Sequence, residues 1–307
     1  MISLKAKIFN FIVRNRHLRH GKLKKPIIDF STSIEDFRIR SSASARRYSK
    51  IHAGVSITKQ IIEGITCEWL HPEGADPSKL ILYVHGGGYV SGTCEVYRGF
   101  VSKLAHDSGV SCLIFNYRLA PECPYPAALD DTVKIYNWLL QSGYTNHNIL
   151  FVGDSAGGGL SLSALLALRD RKIALPVATV AVSPWTDLTC SSESYQTKNK
   201  VSAAPLNSWH VFSAYYAGNH SKQDPLMSPL FGDLEGLPPL FINAGTEDEL
   251  YEDGKKFYLK AKEAGVDVIF RKGIGMIHCY PFFAPMFREA TEAMEEIVGF
   301  IKNKLLV

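Results

Sequence analysis

Residues 149–168 read ILFVGDSAGGGLSLSALLAL. An apolar run leads into a knot of small residues holding Ser155, and a second apolar run follows. Gly157, Gly158 and Gly159 open a stretch otherwise patterned as a helix, where each glycine costs about 1 kcal/mol relative to alanine. A reason other than helix formation must keep them there. Gly153-Asp154-Ser155-Ala156-Gly157 fits G-x-S-x-G between a buried-strand pattern and a helix. That is the context of a nucleophile elbow, a sharp turn that presents a serine at its tip. Side chains at 153 and 157 would strike neighbouring backbone, so glycine is required there. A helix N-terminus behind Ser155 favours negative charge at that spot. The helix itself is apolar nearly all round and is read as buried, with Gly158 and Gly159 letting its first turn pack closely. A phosphate-binding loop is a poor fit. No lysine follows in G-x-x-x-x-G-K-[ST] register, and the G-x-G-x-x-G spacing is absent.

A second glycine loop lies upstream, in YVHGGGYVSGT at 83–93. Acyl transfer through a serine generates an oxyanion that needs preorganised donors. The bare amides of Gly87 and Gly88 can supply two, and Ala156, directly after the serine, a third.

The composition admits such an enzyme. The chain has 307 residues, 46% hydrophobic and 21% charged, a soluble globular balance. Its net charge of +4 is unevenly placed. Residues 1–25 hold eight Lys or Arg and no acid, leaving 26 basic against 30 acidic residues in the remainder. A mildly acidic body with a basic arm argues against a nucleic-acid-binding body. The arm carries an apolar stripe, IFNFIV at 8–13. It is read first as a helix packed on the body with its charged face solvated, and second as a basic amphipathic helix making weak contact with an anionic membrane surface. The stripe is short for a signal-peptide core, and no stretch approaches the ~20 apolar residues of a membrane span. The six cysteines are dispersed, without C-x-x-C pairs, and read as reduced thiols of a cytoplasmic protein. No metal-ligand spacing appears.

Short β-rich runs alternate with helical stretches. Strands are expected at 57–62, 65–70, 80–84, 111–117, 149–152, 178–183, 240–244 and 266–272, and helices at 97–108, 126–142, 156–171, 251–264 and 281–304. Several strands are continuously apolar, as strands buried on both faces are. The alternation indicates a mostly parallel sheet with helices on both faces. Residues 1–50 and 188–230 fall outside it. They are expected to pack together as a cap over the carboxyl ends of the strands, where open α/β sheets bind ligands, leaving 51–307 as the catalytic domain.

HGGG followed by GDSAGG resembles the hormone-sensitive-lipase family of α/β-hydrolases, as in bacterial carboxylesterases. YRLAPE (117–122), YPAALDD (125–131), SPWTDL (183–188) and SPLFGDLEGLPPLFINAGTEDEL (228–250) add family-like landmarks in order. The resemblance covers roughly residues 50–300. It implies an α/β-hydrolase fold with an eight-stranded sheet, one antiparallel strand near an edge and a helical cap. It also implies hydrolysis of small-molecule esters with short or medium acyl chains, no cofactor, and a homodimer formed through the edge strand and last helix.

A serine hydroxyl needs a base. Of ten histidines, His278 alone lies in a loop after the last strand and before the last helix, its place in the order serine, acid, histidine. His17 and His20 lie in the basic arm, His85 in the glycine loop, His210 and His220 in the cap segment, and the rest beside early strands or helices. The acid should follow LFINAG, where Glu247, Asp248, Glu249, Glu252 and Asp253 are candidates. The family pattern D-x-L-x-[DE] implies Asp248, with Glu247 as runner-up. Asp154, Glu122, Asp130, Asp131 and Asp187 are read as fixing loops, and Cys279 as structural. The same triad would serve a lactone hydrolase or a deacetylase. A non-catalytic receptor of this fold, as in plant hormone receptors lacking the histidine, is the reading from another class.

Overall fold

The structure, a computed structural model, describes residues 2–21, 23–45, 50–202 and 204–306. Lys22 of the basic arm therefore lies outside the described residues.

Eight strands form one sheet: β1 (Val55–Ile62), β2 (Ile65–Pro72), β3 (Leu80–Val84), β4 (Ser111–Phe115), β5 (Ile149–Asp154), β6 (Ala178–Val182), β7 (Leu240–Gly245) and β8 (Val268–Gly273). Their spatial order is β1-β2-β4-β3-β5-β6-β7-β8. β2 runs antiparallel to both β1 and β4, and every other pair is parallel. The sheet is thus the α/β-hydrolase sheet, with its one reversed strand next to an edge.

Nine helices are described: α1 (Leu4–Arg14), α2 (Ile34–Ala45), α3 (Cys94–Ser108), α4 (Ala127–Gln141), α5 (Ala156–Asp170), α6 (Ser194–Thr197), α7 (Ser208–Ala217), α8 (Tyr251–Glu263) and α9 (Arg288–Leu305). Alternate residues of the central strands feed two cores. Leu80, Leu82 and Val84 of β3 join α4, α5 and α8 on one face. Ile81 and Tyr83 join α3 and α9 on the other. Burial on both faces is why β3, β4, β5 and β6 carry no polar alternation. α5 is buried through its first thirteen residues.

The expected elements shift mainly at their ends. α3 begins at Cys94, where the Thr93 hydroxyl accepts from Val96 N and caps the first turn. The expected helix at 281–304 is two pieces, a 3-10 turn at Tyr280–Phe283 and then α9. Pro285 between them has no amide to donate, and proline disfavours helical geometry in the residue before it.

Residues 2–45 and the segment after β6 pack together. Ile28 N donates to Leu206 O (2.9 Å), Leu206 N to Pro26 O (3.0 Å), and Asn207 Nδ2 to Ile28 O (2.9 Å). Phe37 of α2 meets Phe212 of α7 at 5.2 Å between ring centres. Among the described residues, no helix is long and apolar enough to cross a membrane.

Candidate active site

β3 and β5 are neighbours, so the loops at their carboxyl ends meet. Ser155 closes β5 with φ 53° and ψ −122°, a backbone conformation that a non-glycine residue holds only under constraint. The constraint is visible. Ser155 N donates to Val182 O (2.8 Å), and Ser155 O accepts from Gly159 N (3.1 Å) and Trp185 N (2.9 Å). A Cβ on Gly153 would lie 2.3 Å from Gly157 O, and one on Gly157 would lie 2.1 Å from Val84 O and 2.4 Å from His85 O. These two glycines therefore let the serine turn rest directly on the end of β3. The other two differ. A Cβ on Gly159 would stand 2.0 Å from Trp185 O, whereas one on Gly158 would meet its neighbours at 3.2 Å. Gly159 is required by backbone contact, and Gly158 is only tightly fitted.

The loop after β3 is equally crowded. Gly87 (φ +114°) would place a Cβ 2.1 Å from Ser91 O, and Gly88 (φ +65°) would place one 2.6 Å from the Phe212 ring. Gly87 O accepts from Ser91 N (3.0 Å) and from the Ser91 hydroxyl (2.9 Å), which fixes the turn. Among the described residues, no hydrogen bond engages the amides of Gly87, Gly88 or Ala156, so all three can serve an incoming oxygen.

Asp154 links the two loops. Its buried carboxylate accepts from Gly86 N (3.0 Å), Tyr83 Oη (2.8 Å) and Tyr97 Oη (3.2 Å). Burial pushes this carboxyl up to about 6, against the pull of those hydrogen bonds. His85 supports the same loop from beneath. It stacks on Tyr117 at 4.2 Å, and Tyr117 Oη donates to His85 O (2.8 Å). Burial lowers the His85 imidazole to about 4, so it stays neutral and structural.

On the other side, His278 Nδ1 lies 2.7 Å from Asp248 Oδ2. Asp248 is fully buried, and its other oxygen accepts from Leu250 N (3.1 Å). Burial works to lower the His278 pKa, but the adjacent Asp248 carboxylate, with a further contribution from Cys279, outweighs it and holds the imidazole well above the ordinary histidine value. Glu247 points elsewhere, to Arg14 (3.3 Å) and Lys198 (3.5 Å). The end of β6 ties this half to the serine. Val182 O accepts from Ser155 N, and the Ser183 hydroxyl accepts from Cys279 N (3.1 Å). No hydrogen bond joins Ser155 Oγ to His278 among the described residues. Such bonds often tighten only when substrate binds.

Beside the imidazole stands one residue that carries no sequence motif, Trp209, held by Glu249, one of the candidate acids. Trp209 stands edge-on to His278 at 5.7 Å between ring centres, and its Nε1 donates to Glu249 Oε2 (2.8 Å). Only the fold of the 188–230 segment brings Trp209 there. The remaining acids hold loops. Asp187 accepts from Thr189 N (2.8 Å) and the Ser191 hydroxyl (2.6 Å), Asp131 pairs with Arg118 (2.8 Å), and Glu122 pairs with Arg38 (2.6 Å). Asp130 faces Arg171 at 3.7 Å. Cys279 is buried, and burial pushes its thiol up to about 11, which keeps it protonated and a poor nucleophile. Among the described residues, no group of three or more His, Cys, Asp or Glu is arranged to hold a metal ion.

A serine on a constrained turn, free amides from two converging loops and a buried carboxylate–imidazole pair are the parts of an acyl-transfer site. The comparisons with known proteins agree in kind. The family model of the α/β hydrolase fold matches residues 81–282. An acetyl-hydrolase of Streptomyces hygroscopicus is 37% identical over 242 residues, 78% of this chain and 80% of its own. Among solved structures, an esterase of the bacterial hormone-sensitive lipase family is 33% identical, covers 99% of both chains and superposes with a TM-score of 0.89. The esterase EstE5, in crystals soaked with p-nitrophenyl butyrate, is 31% identical, covers 99% of this chain and 100% of that one, and has a TM-score of 0.89. The chain belongs to the α/β-hydrolase fold family, among the carboxylesterases of hormone-sensitive-lipase type.

Proposed function

We propose that the protein hydrolyses carboxylic esters with short to medium acyl chains through Ser155, His278 and Asp248. Ser155 Oγ attacks the ester carbonyl carbon while His278 Nε2 takes the hydroxyl proton. The carbonyl oxygen becomes an oxyanion held by the amides of Gly87, Gly88 and Ala156. The carbon–oxygen bond to the alcohol then breaks, and the departing alkoxide takes the proton back from His278. Water, deprotonated by His278, attacks the acyl-enzyme and releases the acid, and the proton returns to Ser155. Asp248 stays ionised throughout, orienting the imidazole and stabilising its charged form. Residues 1–50 and 188–230 act as a cap over this site on the catalytic domain of 51–307. The observation that carries the reading is the 2.7 Å contact between His278 Nδ1 and the buried Asp248.

Ser155→Ala is expected to lower kcat on p-nitrophenyl butyrate by about 10⁶-fold while leaving the thermal unfolding midpoint unchanged. A variant as fast as the parent would remove the assignment. A series from acetyl to octanoyl esters is expected to show higher kcat/KM than longer chains.

A second reading has a specific support. The Streptomyces relative is named an acetyl-hydrolase, which points to removal of an acetyl group from a larger acceptor by the same steps. Acetylated amines and lactones assayed beside the esters decide between them. A non-catalytic receptor would resist an organophosphate, whereas this reading expects stoichiometric phosphorylation of Ser155. We also infer, by analogy with the family, a homodimer through the edge strand and last helix; exposed Ile269 on edge strand β8 is a candidate contact, and sedimentation velocity would report that dimer.

A further inference from the structure

α1 has two apolar faces. Ala6, Asn10 and Val13, spaced i, i+4, i+7, point inward with Phe9. Ala6 is fully buried, and Phe9 packs on Phe283 (4.6 Å) and Phe287 (5.1 Å). Asn10 Nδ2 donates to Gly275 O (2.8 Å), and Ser3 hydrogen-bonds Glu289 through its amide (2.5 Å) and its hydroxyl (2.7 Å). The helix is therefore fastened to the loop that leads into His278 and to the start of α9.

The opposite face has the same spacing and no partner among the described residues. Leu4 is 72% exposed, Ile8 51% and Phe11 67%. A helix attached by one apolar face normally shows a polar face outward, so this outer stripe is unusual. It is also concentrated in the chain, since nine of the 17 exposed large hydrophobic side chains described fall within the first 45 residues. The stripe IFNFIV is thus divided. Phe9 and Val13 serve the body, while Ile8, Phe11 and Ile12 are left outside.

Charge selects the occupant. Lys5 and Lys7 are exposed and border the outer stripe on either side. Residues 1–25 hold eight basic side chains and no acid, while the rest of the chain is net acidic. An anionic surface would be attracted to this end and repelled by the body. Exposed apolar side chains between lysines suit the boundary between headgroups and acyl chains.

We propose that the outer face of α1 docks the enzyme onto anionic lipid surfaces, with Leu4, Ile8 and Phe11 inserted and Lys5 and Lys7 on the headgroups. The inner face of the same helix rests on the loop before His278, so docking would bring the candidate active site to the lipid–water boundary. The docking surface is independent of which ester is cleaved.

The test is co-sedimentation of the full chain with phosphatidylcholine vesicles, with and without about 30% phosphatidylglycerol. Binding is expected only to the anionic vesicles, with release at about 0.5 M salt. Ile8→Glu/Phe11→Glu is expected to lower partitioning by about tenfold or more. Lys5→Glu/Lys7→Glu is expected to lower it about fivefold per lysine. Both variants should keep the parental circular dichroism and the parental thermal unfolding midpoint. The proposal is overturned by no binding to anionic vesicles at low salt, by equal binding to neutral ones, or by Ile8→Glu/Phe11→Glu binding as the parent does. It is also overturned if that variant only splits a dimer, which would make a second copy the occupant.

Discussion

The two halves of the candidate site are built from different materials. The serine half is backbone. A Cβ added to Gly153, Gly157 or Gly159 of one loop, or to Gly87 of the other, would lie only 2.0 to 2.3 Å from a carbonyl oxygen. The histidine half is side chains, a carboxylate and an imidazole 2.7 Å apart, with the pair's charge balance setting the proton affinity. The first half tolerates no added atom at those four glycines. The second tolerates atoms of the same shape and responds to charge. Steric exclusion between backbones is absolute at these distances, whereas the interaction of two ionisable groups varies with pH and with either partner.

The largest effect that would sharpen this contrast is expected from Asp248→Asn. The amide keeps the shape but loses the charge, and kcat should drop by about 10⁴-fold with the fold intact. The pH profile carries the sign. On the proposed mechanism His278 must be neutral to accept the serine proton, and Asp248 works to hold its pKa above the usual histidine value. So kcat/KM of the parent should fall as pH drops through a point above the ordinary value of about 6.5. In Asp248→Asn the upward pull of that carboxylate is lost while burial still lowers the pKa, and the residual activity should fall at a lower pH than in the parent. A parental profile that is flat between about pH 5 and 8 would break the contrast on its electrostatic side.

The steric side predicts an inequality between adjacent glycines. Gly159→Ala drives a methyl group against Trp185 O and should cost about 1–3 kcal/mol of stability or more. Gly158→Ala meets neighbours at 3.2 Å, and the helix propensity of alanine, worth up to about 1 kcal/mol, works against the crowding. Urea unfolding of the two variants should therefore separate them clearly, with Gly159→Ala the weaker. Equal losses would show that α5 can shift to make room. The smallest effect is expected from Glu247→Gln. Its partners Arg14 and Lys198 are partly exposed, and pairs of this kind are worth about 0–1 kcal/mol, so kcat/KM should stay within about twofold of the parent.

Legibility in the sequence follows the same division. The serine turn and the glycine loop are readable because steric requirements act over a few residues and leave glycines at fixed offsets. The sheet is readable because strands buried on both faces run apolar through the core, as in β3 and residues 149–152 of β5. Asp248 is harder. Its neighbours Glu247 and Glu249 offer the same chemistry one residue away, and only the turn after β7 sends Asp248 inward and Glu247 to the rim. The pairing of Trp209 with Glu249 leaves no signal, because the contact spans 40 residues and depends on how the segment after β6 folds back. The start of the last helix is misleading, since apolar residues at 281–287 fit a helical pattern until the proline geometry is taken into account.

By itself the sequence determined the order of strands and helices, the serine turn, the glycine loop after β3 and the position of the histidine. Each is set by local rules of burial, glycine geometry and chain order. The family pattern pointed to Asp248, but tertiary structure decided its contact with His278, that Asp154 ties the serine turn to Gly86, and that α1 turns one apolar face inward and another outward. Those outcomes depend on distances between segments far apart in the chain. Residue types and spacing constrain what each segment can do, but not which segment it will face.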